Sequence, residues 1–175
     1  VVTFDDGNIS DYSIAFPMLQ KYEITGYFFV IAGLIDKKGY CSQKDLREMH
    51  KHGMIIGNHG MGHKSWRGLS DEEYAVELHD ARKKIEDIID APVLYAACPF
   101  GSYDGTVIKK LKQYNYLNGY TSDRGMANKR DFMQSRFSVH YNDTIESITN
   151  EIESYQKSHI KQTKRKIKSL LKSLR

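Results

Sequence analysis

The sequence of 175 residues has few cysteines and prolines, two and three respectively, and it contains no long apolar run. Cys41 and Cys98 lie far apart and form no Cys-x-x-Cys pair, so neither a disulfide scaffold nor a structural zinc knuckle is supported, although one disulfide between them stays open. A membrane-spanning helix needs roughly 18 consecutive apolar residues, so this sequence contains none. It starts at Val1, inside a predicted strand, and we therefore expect a trimmed or mature start.

The composition is that of one globular domain, with 40% hydrophobic and 11% aromatic residues. Of the 26 basic residues, eight lie in 157–175, where there is no acidic residue. The rest of the chain therefore has 18 basic residues against 22 acidic ones. Nucleic-acid grooves concentrate Lys and Arg around the site, so this balance argues against a nucleic-acid partner.

Short β-rich runs alternate with longer helical patterns, which predicts an α/β domain with a largely parallel sheet. The predicted strands are Val1–Phe4, Gly26–Val30, Met54–Asn58, Val93–Cys98, Tyr116–Thr121 and Gln134–Val139. The predicted helices are Ser10–Tyr22, Ser42–His52, Asp71–Ile89, Asp104–Tyr114 and a stretch from Thr144 onward. In the first helix, apolar residues have the three-to-four spacing of a buried face, at Ile14, Met18, Leu19 and Tyr22.

Two adjacent carboxylates, Asp5 and Asp6, end the first predicted strand and are followed by Gly7, which permits a sharp turn. Ligands of α/β sheets bind at this end of the strands. One carboxylate of such a pair can bind a metal while its neighbour acts as a base. The alternative is a helix-capping turn, for which Asp and Gly are ordinary residues.

The third predicted strand is followed by His59-Gly60-Met61-Gly62-His63. Two histidines four positions apart can hold one divalent metal, although this spacing also arises by chance. Together with a carboxylate from the first strand end, they would form a mixed His/His/Asp site with positions open for water and substrate.

The fourth predicted strand leads into Cys98-Pro99-Phe100-Gly101, and with this third motif the chain resembles the polysaccharide deacetylase family, also called the NodB-homology family or carbohydrate esterase family 4. The other two matching motifs are Thr3-Phe4-Asp5-Asp6-Gly7 and His59-x-x-x-His63, in the family's order. The resemblance covers about residues 1–155 and implies a deformed (β/α) barrel, whereas periodicity alone indicates only an α/β fold.

The resemblance also implies site residues. Asp6, His59 and His63 would bind the metal, zinc in first place, with cobalt, nickel or manganese as alternatives. Asp5 would be the general base for the attacking water, and the backbone N–H of Phe100 would hold the developing oxyanion. The reaction implied is removal of an N-acetyl group from an N-acetylated sugar, with release of acetate.

The sequence departs from the family pattern at two positions. The arginine that often orients the base is replaced by Ala97, and we assign the orienting role to Arg136, with an ordinary surface arginine as the alternative. The late Leu-x-His motif survives only as Ser138-Val139-His140, so His140 is the candidate acid, against a strand-end histidine without a role.

Three residues are candidates for substrate binding. Two of them, Pro99 and Tyr103, lie in and directly after the third motif. The single tryptophan, Trp66, could stack on a sugar ring, as exposed aromatic side chains do, or pack in the core.

The chain is predicted to divide into a catalytic domain, 1–155, and a basic amphipathic C-terminal helix, 156–175. Such a helix can lie on an anionic membrane surface, which makes residues 157–175 a candidate peripheral contact. The alternatives are a solvated helix packed on the domain and a disordered end.

These observations predict a metal-dependent N-deacetylase acting on an N-acetylated glycan, either a polysaccharide or a lipid-linked sugar. One alternative is a glycan-binding domain with a residual metal site, against which the intact Asp5 argues. The other is a metal amidase acting on a non-sugar acyl group. The sequence does not specify the glycan, the native metal or the localisation, for which the cell envelope or the cytoplasmic membrane surface is favoured.

Overall fold

The computed structural model describes residues 1–174, so Arg175 of the predicted C-terminal helix lies outside it. Six strands form one parallel sheet in the spatial order β1 to β6, which confirms the predicted α/β class. The strands are β1 Val2–Asp6, β2 Gly26–Val30, β3 Ile55–Asn58, β4 Tyr95–Ala97, β5 Asn118–Thr121 and β6 Met133–Ser135.

Helices connect the strands and follow the last one. They are α1 Phe16–Lys21, α2 Gln43–Lys51, α3 Asp71–Tyr74, α4 Ala81–Ile89, α5 Gly105–Gln113, α6 Ile145–Lys157 and α7 His159–Ser173. Two π-helical segments, Asp11–Ala15 and Ala75–Asp80, run directly into α1 and α4. Ser42 and Ser70 cap α2 and α3 through capping boxes, because each side chain accepts from the third backbone N–H of its helix.

The predicted buried face of the first helix is correct at Leu19 and wrong at its other three residues. Ile14, Met18 and Tyr22 are exposed, and Phe16 is buried beside Leu19. A π-helical turn holds more residues than an α-helical turn, so the segment Asp11–Ala15 rotates the inward face relative to a regular helix. A uniform three-to-four spacing therefore identified only Leu19 of the buried face.

The sheet is curled, and its two faces have different contents. Strand side chains alternate between faces, so Phe28 and Val30 pack under the helices while Phe29 and its neighbours line the concave side. The concave side is aromatic, with Tyr27, Phe29, Tyr95 and Tyr120 in ring contact.

The curl brings the two ends of the sheet together. The Arg136 side chain, directly after β6, donates to the Thr3 hydroxyl in β1 at 3.0 Å. In the described residues β1 and β6 are not hydrogen-bonded neighbours, so the barrel is open at this point. The architecture confirms the predicted deformed barrel.

The C-terminal helix is present and packs against α5 and the loop after β5. It is separated from α6 at Ser158, whereas the predicted boundary at residue 155 falls inside α6. The inward-facing residues of α7 are half-buried and polar, namely Gln162, Arg165, Ser169 and Lys172. No helix within residues 1–174 is both long and apolar enough to span a bilayer.

Candidate metal centre

The motifs from four strand ends meet at one edge of the sheet, because parallel strands all end on the same side. They line a cavity of about 700 Å³, which we call the strand-end cavity. Its polar wall residues include Asp5, Asp6, His59, His63, Ser122 and Arg136.

The three predicted metal ligands, Asp6, His59 and His63, surround one point. The Nε2 atoms of His59 and His63 lie 3.4 and 3.5 Å from the same oxygen, Oδ1 of Asp6. The three ligand atoms are all within 4.8 Å of one another. Two imidazole nitrogens and one carboxylate oxygen form a donor set that suits zinc and leaves further coordination positions open. The residues present therefore fit a divalent metal.

The ring of His59 is held in the orientation that a ligand needs. Its Nδ1 donates to the backbone carbonyl of Ala97 at 2.8 Å, so Nε2 faces Asp6 without a proton when the imidazole is neutral. His59 is buried, and when its ring is protonated the hydrogen bond from Nε2 is the largest cause that lowers the pKa of Asp6, against burial, which raises it. Asp6 therefore stays ionised beside the two rings.

A buried carboxylate beneath the His59–His63 loop was not predicted. Glu77 is 3% exposed, and its oxygens accept from the backbone N–H groups of Met61 at 2.8 Å and Gly62 at 3.2 Å. Gly60 has φ +87°, and a Cβ there would lie 2.4 Å from Glu77 Oε2, so the close approach requires glycine. The sequence signal that could have revealed Glu77 was an acidic residue at a helix position that lies among inward-facing apolar residues.

Asn58, the last residue of β3, fixes the start of the same loop. Its Nδ2 donates to the backbone carbonyl of Glu77 at 3.0 Å and to the Tyr116 hydroxyl at 2.8 Å, while its Oδ1 accepts from Gly60 N–H at 2.8 Å. The loop that carries both histidines is thus held by hydrogen bonds to two buried polar side chains, Asn58 and Glu77.

The structure brings Arg136 onto Asp5. Its two terminal nitrogens donate to the two Asp5 oxygens at 2.6 and 2.7 Å, and its Nε donates to the Thr121 carbonyl at 3.1 Å. The guanidinium also lies over the Phe29 ring, 5.5 Å from its centroid. A two-pronged pair of this kind fixes both the position and the orientation of the carboxylate.

Phe100 has a left-handed backbone, with φ +58° and ψ +13°. The tight turn around it is closed by hydrogen bonds from Gly101 N–H to Cys98 and from Ser102 N–H to Pro99, so the Phe100 N–H takes no part in closing it. The Phe100 ring lies 4.5 Å from the His63 ring, centroid to centroid. The turn therefore sits directly beside the predicted ligands.

The predicted substrate-binding residues are not on the cavity wall. Trp66 is fully buried, with its backbone carbonyl accepting from the Tyr74 hydroxyl, so it offers no ring face to a sugar. Tyr103 is buried and donates to Asp123 at 2.9 Å, and Pro99 is buried below the turn. The apolar wall residues include Phe137 and Val139, from the segment after β6 that the sequence assigned to a strand.

His140 does not reach the strand-end cavity. The wall ends at Val139, and His140 is exposed in the turn before α6, where its backbone N–H donates to Asp143. β6 ends at Ser135, so the chain leaves the sheet earlier than predicted. His140 is not among the residues that line the strand-end cavity, and its assignment as the acid stays a prediction.

Cys41 and Cys98 are both free and buried. Burial raises the pKa of each thiol to about 12, so both stay protonated and unreactive near neutral pH. Neither thiol is a ligand of the Asp6 site.

Comparison with known proteins identifies the family to which the chain belongs. The family model described as polysaccharide deacetylase matches residues 1–119. The chain is 30% identical over 116 residues to a peptidoglycan-N-acetylglucosamine deacetylase of Bacillus cereus, covering 66% of this chain and 52% of that protein. It is 29% identical over 129 residues to the Bacillus subtilis protein YxkH, covering 74% of this chain and 46% of the relative. The chain thus spans about half the length of the curated relatives it matches.

Among solved structures, the chain is similar to a deacetylase from Streptococcus pyogenes in complex with acetate. The TM-score is 0.80 at 25% sequence identity, with 86% of this chain and 68% of that one covered.

Proposed function

The chain belongs to the polysaccharide deacetylase family, and we propose that it is a metal-dependent hydrolase that removes N-acetyl groups from sugars of a glycan. One observation carries this proposal. Asp6, His59 and His63 surround one point, and beside them Arg136 holds a second carboxylate, Asp5. A ligand set next to an oriented base is the arrangement that hydrolysis of an amide requires.

Asp6, His59 and His63 would hold the metal, with zinc in first place and cobalt, nickel or manganese as alternatives. A divalent ion bound there would polarise the acetamide carbonyl and lower the pKa of water. The support is the nitrogen and oxygen donor set and the fixed ring of His59.

The chain's own residues would supply the remaining steps. Asp5 accepts a proton from the water whose oxygen attacks the acetamide carbonyl, and Arg136 keeps its carboxylate in position. The backbone N–H of Phe100 donates to the carbonyl oxygen as negative charge develops on it.

The proton then has to reach the leaving nitrogen. With the three ligands set aside, Asp5 is the one remaining acid on the described wall of the strand-end cavity, since Arg136 stays charged. We therefore assign the return of the proton to Asp5, so that the carbon–nitrogen bond breaks with release of a free amine and acetate.

The test is acetate release from an N-acetylglucosamine oligomer by zinc-loaded protein, measured beside the Asp5→Asn variant. Release by the wild type alone supports the proposal. Binding of the oligomer without any acetate would favour a glycan-binding domain, and hydrolysis of a non-sugar acetamide with no action on glycans would favour a metal amidase.

A membrane contact is proposed on separate grounds. The outward face of α7 carries exposed apolar residues, namely Ile160, Ile167, Leu170, Leu171 and Leu174. Lysines flank this stripe, and no acidic residue lies in 157–175. A basic helix with an outward apolar stripe fits an anionic lipid surface.

The membrane contact is tested by co-sedimentation with phosphatidylglycerol vesicles. We expect the wild type to bind these vesicles and the double variant Ile167→Gln with Leu171→Gln to lose binding. The control variant Val76→Gln, at an exposed apolar position elsewhere, should still bind. Equal binding to neutral phosphatidylcholine vesicles would contradict an electrostatic contact.

A further inference from the structure

A second cavity of about 600 Å³ lies between the loop after β5 and helices α6 and α7, and we call it the basic cleft. Five cationic side chains line it, against two acidic ones, Asp123 and Glu151. The cations are Arg124, Lys161, Lys164, Arg165 and Lys168. The cleft therefore has an excess of positive charge at neutral pH.

The two acids are already paired with side chains around the cleft. Asp123 lies 3.0 Å from Lys168 Nζ, and Glu151 accepts from Arg124 at 3.0 Å. In the part of the chain that the structure describes, Lys161 and Lys164 have no carboxylate within ion-pair distance. Their charges are thus available to a ligand.

One of these two lysines is held in place at the cleft wall. The ammonium of Lys161 lies over the Tyr155 ring, 5.3 Å from its centroid, and donates to the Ser154 hydroxyl at 2.8 Å. Because neither partner is charged, the Lys161 ammonium keeps its full positive charge for an anionic group of a ligand.

The basic cleft adjoins the strand-end cavity at Ser122, which lines both. A glycan with its acetamide in the strand-end cavity would therefore have its neighbouring sugars near the cleft.

We propose that the basic cleft binds the negative groups of an anionic glycan, so that the protein selects chains with acidic groups near the N-acetylated sugar. This inference rests on the proposed function for the identity of the reacting group. The cleft itself would act as a binding site whether or not the acetamide is hydrolysed.

The experiment compares two hexasaccharides by isothermal titration calorimetry. A hyaluronan hexasaccharide carries N-acetyl groups and carboxylates, while a chitin hexasaccharide carries N-acetyl groups alone. We expect the hyaluronan hexasaccharide to bind about tenfold more tightly at low salt, with the difference lost at high salt. The variant Lys161→Gln with Lys164→Gln should lose the preference, and the exposed pair Lys37→Gln with Lys38→Gln should keep it.

Equal affinities for the two hexasaccharides, no binding of hyaluronan, or a preference unchanged in the Lys161/Lys164 variant would each overturn the proposal. Loss of binding to phosphatidylglycerol vesicles in that variant, with glycan affinities unchanged, would also overturn it and assign these lysines to a lipid surface. Because binding is measured without turnover, absence of acetate release would count against the deacetylase proposal alone.

Discussion

Arg136 and Asp5 join the end of the last strand to the first strand through two hydrogen bonds of 2.6 and 2.7 Å. The pair spans the opening of the curled sheet, and the Arg136 side chain is 14% exposed. The same contact therefore bridges the open edge of the barrel and orients the proposed base.

Replacing Arg136 tests that double role. We expect Arg136→Gln to lower kcat for acetate release about 100-fold, because the Asp5 carboxylate would lose its fixed position. Zinc stoichiometry should stay unchanged, since Arg136 touches none of the ligands. Arg130→Gln, at an exposed loop position, is the matched control. Wild-type turnover in Arg136→Gln would remove the orienting role.

Variants of Asp5 and His63 are expected to distinguish the role of the base from that of the metal site. Asp5→Asn should retain about one zinc per chain and lose turnover, whereas His63→Ala should lose both. Metal content after zinc loading and desalting, measured by atomic absorption beside acetate release, distinguishes the two. Equal activity of wild type and Asp5→Asn would contradict the proposed mechanism.

Glu77 is expected to support metal binding without touching the metal. Glu77→Ala should weaken zinc affinity about 10- to 100-fold, the range found for residues behind metal ligands, because the His59–His63 loop loses its two hydrogen bonds. Glu77→Gln retains one acceptor oxygen, so its zinc affinity should lie between those of the wild type and of Glu77→Ala. Affinity is read from calorimetric zinc titration, with Glu72→Gln at an exposed position as control. Wild-type affinity in a folded Glu77→Ala protein would argue against this role.

Asp11 is expected to make stability fall with rising pH. Burial is the largest cause that raises its pKa, to about 7, from 3.8. Between these values the folded protein holds a proton that the unfolded chain has released, so the free energy of unfolding decreases as pH rises. Asp11→Asn should therefore raise Tm by a few degrees at pH 8 and change it little at pH 4. The measurement is thermal unfolding of metal-free protein, and an equal effect at both pH values would refute it.

Asp123 is expected to hold α7 on the domain. Burial raises the pKa of Asp123, but the hydrogen bonds from Lys172, Lys168 and Tyr103 together lower it by more than burial raises it. The carboxylate therefore stays charged. Asp123→Asn removes the partner of two lysines and should increase hydrogen exchange of α7 amides about tenfold. Asp131→Asn, whose contact with Arg165 is 3.7 Å, should have little effect. Unchanged protection of α7 in Asp123→Asn would show that other contacts dock the helix.

The strand-end motifs could be found from the sequence because their signals are local. Asp5, Asp6, His59 and His63 each follow a short apolar run, and parallel strands end at one edge. Arg136 was chosen through the family resemblance, and its contact with Asp5 became visible once the sheet curled. For Trp66 the sequence left stacking on a sugar and packing in the core both open, because residue type alone does not tell a buried aromatic ring from one that faces a substrate. The structure places Trp66 and Tyr103 in the core.

The sequence by itself determined the α/β class, the order of the elements and the family motifs, since turns, caps and apolar runs act over a few residues. Only the tertiary structure decided which side chains meet across the sheet, because the curl and the π-helical turns set directions that no local pattern encodes. It placed Glu77 beneath the histidine loop, left His140 outside the lining of the strand-end cavity and turned the polar face of α7 inward. These outcomes depend on long-range packing, which the spacing of residues along one element does not contain.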